Sequence, residues 1–81
     1  MLYYVVQIDR YGNMDGVLTA VQKQYPFLRF ITRFDNTRLL IFKYTNKITT
    51  TIDSLIDNMH GVRSTAIDDA DALTNGYNIF G

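Results

Sequence analysis

Residues 2–8 read Leu-Tyr-Tyr-Val-Val-Gln-Ile, a β-branched and aromatic run of the kind that strands prefer. Residues 9–13 are polar, with Gly12 as a breaker. Asn13 is a good N-cap, and Asp15 just behind it complements a helix dipole. Met14, Val17, Leu18, Val21 and Tyr25 then recur at helical spacing, one apolar stripe on an amphipathic helix. Pro26, the only proline, ends it.

A second strand is expected over 27–34, the turn dipeptide Asp35-Asn36 follows, and a third strand covers 37–44, so these two form a hairpin. Ile48, Ile52, Leu55, Ile56 and Met59 return to the helical period. Thr50 and Asp53 have capping-box spacing at the start of that helix, and His60-Gly61 closes it. Residues 62–67 read as a fourth strand. The rest is a polar tail in which Tyr77-Asn78-Ile79-Phe80 suits a short fifth strand. The expected organisation is one domain over 1–68 and a tail over 69–81.

The resulting order is β-α-β-β-α-β. Two right-handed crossovers that share a hairpin place the strands in one antiparallel sheet with both helices on the same face. Over residues 2–67 this topology resembles the α+β ferredoxin-like sandwich, with spatial strand order 4-1-3-2. Many unrelated functions use that fold, so function has to be read from surfaces.

Strand parity assigns the surface that the helices leave bare. In the first strand Leu2, Tyr4, Val6 and Ile8 make the core row, leaving Tyr3, Val5 and Gln7 outside. In the second, Leu28, Phe30, Thr32 and Phe34 are expected under the helices, with Phe27, Arg29, Ile31 and Arg33 outside. In the fourth, Val62, Ser64 and Ala66 go inside and Arg63, Thr65 and Ile67 outside. The third strand is apolar on both faces and leaves two choices. Either Leu39, Ile41 and Lys43 face out, or Leu40, Phe42 and Tyr44 do.

With the first choice the bare face has an apolar centre of Val5, Ile31 and Ile41, edged by Arg29, Arg33, Lys43 and Arg63, which is the anatomy of a protein interface. With the second, Phe42 and Tyr44 join Tyr3 on a basic sheet, an arrangement that suits base stacking and resembles the RNA-recognition modules of this topology. The consensus of those modules is not matched by Arg-Leu-Leu-Ile-Phe-Lys-Tyr over 38–44. In a third arrangement the tail folds back over the face and brings its acids to the arginines.

Charge sharpens this picture. The 81 residues carry eight basic and eight acidic side chains, net zero, which argues against a strongly basic nucleic-acid binder. The zero is unevenly built. Lys23, Arg29, Arg33, Arg38, Lys43 and Lys47 stand against Asp35 alone in the middle of the chain, and Asp53, Asp57, Asp68, Asp69 and Asp71 against Arg63 alone at its end. Every acid is Asp, a capping and turn residue more than a helix-interior one.

Catalytic chemistry has little to stand on. There is no Cys and one His, which removes thiolate catalysis, Cys-based metal sites and a His pair within one chain. No Ser/His/Asp set or phosphate loop is present. Asp9, Asn13, Asp15 and Gly16 loosely resemble a calcium loop, but that register puts Tyr11 at the first liganding position and Gln22 at the twelfth. Topology sets Asp9, Arg33, Arg38 and Arg63 at one rim of the sheet. Asp68 and the acids after it fall at the other, near Arg29 and Lys43. The rims lie roughly 20 Å apart at about 3.3 Å per residue, so Asp9 cannot share a metal with the acidic tail. An Asp ending the first strand of so small a chain resembles the Cas2-type nucleases; Asp9 is followed by Arg-Tyr-Gly-Asn, and no further residue of that family matches.

The sequence therefore leads to a non-enzymatic regulatory or inhibitory module without cofactor or metal, binding through Tyr3, Val5, Arg29, Ile31, Arg33, Ile41, Lys43 and Arg63. Its expected partner is a protein, or a second copy in a homodimer. Single-stranded RNA is the alternative, and an Asp9-dependent nuclease the remote one. The absence of Cys from a small domain, of a long apolar run and of a signal-peptide pattern leads to a cytoplasmic chain without membrane contact.

Overall fold

A computed structural model describes residues 2–44 and 48–69. Along them run β1 (Leu2–Ile8), α1 (Met14–Gln24), β2 (Leu28–Phe34), β3 (Leu39–Tyr44), α2 (Thr50–Asp57) and β4 (Val62–Asp69). The strands form an antiparallel sheet in the order β2-β3-β1-β4, the ferredoxin-like α+β arrangement. The segment 77–80 lies outside the described residues.

Local chemistry explains the element ends. The Asn13 side chain accepts from the Gly16 amide at 3.0 Å, satisfying one orphan donor of α1. The helix stops at Gln24, because the residue before Pro26 is pushed out of helical geometry. At α2 the cap lies one residue before the expected Thr50. The Thr49 hydroxyl accepts from the Ile52 amide at 3.1 Å. Asp53 takes no part in a capping box, because its carboxylate accepts from Tyr4 and Thr65 on the sheet. β4 runs to Asp69, beyond the apolar pattern, because its last two residues pair with Leu2 and Tyr3 of central β1.

Between sheet and helices lies the main core. Tyr4, Val6, Ile8, Leu28, Leu40 and Phe42 from the sheet meet Met14, Val17 and Val21 of α1 and Ile56 of α2. Burying each of the larger aliphatic or aromatic side chains contributes about 1.5–3 kcal/mol. Phe30 and Phe42 meet edge to face across β2 and β3, centroids 5.9 Å apart. β3 resolves to the first of its two choices: Leu40, Phe42 and Tyr44 belong to this core, and Leu39 and Ile41 to the opposite face.

Two bulges overturn the expected parity of both edge strands. In β2 the register passes from Phe30↔Phe42 to Thr32↔Ile41, so Ile31 is an extra residue. Beyond it every side chain swaps face. Arg33 lies opposite Leu40 on the helix side, whereas Thr32 and Phe34 lie opposite Ile41 and Leu39 on the bare side. In β4 the pairs Gln7↔Ser64 and Ile8↔Val62 leave Arg63 as the extra residue. Ser64 and Ala66 therefore share the bare face with Gln7 and Val5, and Thr65 and Ile67 the helix face with Val6 and Tyr4, the reverse of the expectation.

The rim where β1 ends is tightly built. A Cβ at Gly12 would lie 2.6 Å from the Gly61 carbonyl oxygen and 2.8 Å from Ile8 Cγ2, so only glycine lets the two loops touch. Gly61 has φ +91°, a backbone state that a side chain would strain. Arg38 is left-handed at φ 56° without being glycine, which delays β3 from the expected Thr37 to Leu39. Its carbonyl accepts from the Ile8 amide at 2.8 Å, and its guanidinium donates to the Asp9 carbonyl at 3.0 Å and to that of Gly12.

Candidate functional site

The bare face is a lattice of three cross-strand rows. In the order β2-β3-β1-β4 the register aligns Arg29, Lys43 and Tyr3, then Thr32, Ile41, Val5 and Ala66, then Phe34, Leu39, Gln7 and Ser64. Val5, Leu39 and Ile41 form a second apolar cluster, with Tyr3, Phe34 and Ala66 packed against it. A cationic pair, Arg29 and Lys43, occupies one end. At the other, the Ser64 hydroxyl donates to Gln7 Oε1 at 3.2 Å.

Of the residues expected to bind, Tyr3, Val5, Arg29, Ile41 and Lys43 share this lattice. Ile31 and Arg63 are the bulge residues of the two edge strands, both exposed. Arg33 is not on the face. It lies toward α1, where Nη1 reaches Asp15 at 2.5 Å and Nε reaches Asp35 at 2.9 Å. These carboxylates are mostly solvated, so the fork orients the β2–β3 turn more than it stabilises the fold. The aromatic row needed for base stacking is also absent from the face, since Phe42 and Tyr44 pack under the helices.

Phe34 and Ala66 belong to the cluster although strand parity puts them under the helices, and Leu39 joins it as the first choice for β3 allows. For Leu39 the signal was present. Leu-Leu-Ile-Phe over 39–42 has no polar alternation, and all four residues are buried. A strand apolar on both faces is a strand covered on both faces. For Phe34 and Ala66 no local signal exists, because each owes its side of the sheet to a bulge.

Neither rim assembles reaction chemistry from the described residues. Asp9 is exposed, and its Oδ1 accepts from the Arg10 amide at 2.8 Å, a turn contact. No group of three or more Asp or His side chains able to hold a metal occurs among the described residues. His60 is exposed beside a shallow groove lined by Asn13, Gly16, Val17, Ala20 and Met59. Among the described residues, Tyr4 is the one titratable core residue with a pronounced shift. Burial, then its hydrogen bond to Asp53, holds its hydroxyl well above the ordinary tyrosine range. No helix among the described residues is long and apolar enough to cross a membrane.

These features define a two-sided α+β sandwich, with one apolar cluster under the helices and a second on the far face of the sheet. Compared with protein-family models, curated proteins and solved structures, the chain matches none.

Proposed function

We propose that this chain is a non-enzymatic, cytoplasmic regulatory or inhibitory module that docks on a protein partner through the helix-free face. The observation that carries this reading is the rim of the second apolar cluster: Val5, Leu39 and Ile41 are buried, so a partner meets half-buried Tyr3, Phe34 and Ala66 around them and exposed Ile31 at the edge. Arg29 and Lys43 at its end supply the charged rim that surrounds an apolar interface centre. A second copy is the other protein that such a face can take.

RNA binding would draw on Tyr3 and the same cations, with affinity falling steeply as salt rises. Charge reversal at Arg29 and Lys43 is the test. Arg29→Glu/Lys43→Glu leaves the core untouched, and a protein bound to the face should lose about tenfold in affinity, or ~1.4 kcal/mol. Unchanged binding to every partner would refute the reading. A mobility shift on single-stranded RNA at low salt, abolished by the same pair of substitutions, would replace it with the RNA one.

A further inference from the structure

Among the described residues β2 and β4 are the edge strands, and they are guarded differently. A sheet edge offers a row of main-chain donors and acceptors to any extended chain, and a bulge or a charge on the edge blunts it. β2 is blunted at mid-strand. Its bulge falls on Ile31, with Arg29 and Arg33 two residues to either side. β4 has its bulge at Arg63, next to its first residue, and from Ser64 to Asp69 it pairs with β1 in unbroken register. Ser-Thr-Ala-Ile over 64–67 holds no charge, glycine or proline. Ile67 lies on the helix side of the sheet and is still 43% exposed.

The stretch 64–69 is thus a flat template for another strand, and a second β4 fits it. Opposed residues in an antiparallel pair share a face of the sheet. A twofold axis normal to the sheet keeps helix side with helix side, so each β4 residue meets its own copy or one an even number of positions away. Centred on Ala66, the pairing spans 64–68, clears the Arg63 bulge and forms about four to six main-chain hydrogen bonds. On the helix side it sets Ile67 against Thr65 of the second copy, twice, a β-branched cross-strand pair that covers the exposed Ile67. On the bare side the row of Thr32, Ile41, Val5 and Ala66 runs on into its twofold copy, with the small Ala66 side chains at the seam.

We propose that the chain forms a homodimer by antiparallel β4–β4 pairing centred on Ala66, one continuous sheet with all the helices on the same side. Two helix-free faces then lie side by side, and a partner that docks there meets both. The pairing itself does not depend on such a partner.

Sedimentation of the full chain from micromolar to millimolar concentration tests it. The mean mass should rise from one chain towards two. Isotope-filtered NMR on mixed labelled and unlabelled chains should show intermolecular contacts between Thr65 and Ile67 and around Ala66. Full-length Ile67→Lys should weaken dimerisation about tenfold or more, while Ile31→Lys on the other edge should dimerise as the wild type does. A chain that stays monomeric at millimolar concentration overturns the proposal, as do intermolecular contacts confined to other strands or a dimer indifferent to Ile67→Lys. Should Ile67→Lys fail to fold, the wild-type contacts decide alone. The docking reading fails separately, when charge reversal at Arg29 and Lys43 leaves partner binding unchanged.

Discussion

The Tyr4 hydroxyl donates to Asp53 Oδ1 at 2.7 Å, and the Thr65 hydroxyl donates to the same oxygen at 2.7 Å. One carboxylate in the first turn of α2 thus ties the helix to central β1 and to edge strand β4. Among the described residues no buried side-chain polar atom lacks a partner. Removing Asp53 would change that, because Tyr4 is fully buried. Asp53→Ala should cost about 2–4 kcal/mol, read as a lower urea midpoint, since it strands a buried hydroxyl. Asp53→Asn keeps an acceptor and should cost clearly less. Equal losses for the two variants would show that the network contributes little.

The same hydroxyl gives the fold an alkaline limit. Tyr4 in the native state holds its proton above the ordinary tyrosine pKa of 10.0. The native state therefore binds more protons than the unfolded chain above pH 10, and stability falls as pH rises through that range. Below pH 10 the contribution is complete. The urea midpoint of the wild type should drop more steeply between pH 9.5 and about 11 than that of Tyr4→Phe. Parallel curves would rule the effect out.

Arg38 combines backbone strain with a useful side chain. At φ 56° a residue with a Cβ costs roughly 1 kcal/mol relative to glycine. Arg38→Ala keeps the strain and loses both guanidinium contacts to the β1–α1 loop; Arg38→Gly loses the contacts but relieves the strain. Thermal unfolding should therefore rank the wild type first, then Arg38→Gly, then Arg38→Ala. If Arg38→Gly exceeds the wild type, the loop strap carries less than the strain.

Gly12 has no such freedom. A methyl there meets the Gly61 carbonyl and Ile8 at distances that real contacts do not reach. Gly12→Ala should destabilise by about 1–3 kcal/mol, the usual effect of overpacking. Gly16→Ala, a control inside α1 where the nearest contact is an Asn13 side chain at 3.3 Å, should change stability much less.

The elements and their order were legible in the sequence because period and punctuation agreed: Asn13 before the α1 stripe, Pro26 after it, and Gly61 before β4. The sides of the edge strands were not. Bulges at Ile31 and Arg63 are settled by cross-strand pairing with β3 and β1, and neither residue type marks one. One extra residue in β2 turned Arg33 from a binding candidate into a partner of Asp15 and sent Phe34 to the far cluster. The role of Asp53 was hidden for a similar reason. Local spacing proposed a cap, but its partner Tyr4 lies 49 residues away in sequence. Central β1 and β3 were the informative strands, since their two apolar faces call for cover on both sides.

The claim that the helix-free face is a protein-docking surface is tested most directly by comparing partner capture by three full-length chains. These are the wild type, Arg29→Glu/Lys43→Glu on the face, and Lys23→Glu on α1 as a charge-reversal control away from it. The partner taken from the native host by the wild type should be held about tenfold more weakly by the face variant and equally well by the control. Equal capture by all three, or greater loss with Lys23→Glu, would contradict the assignment and move the binding surface to the helices.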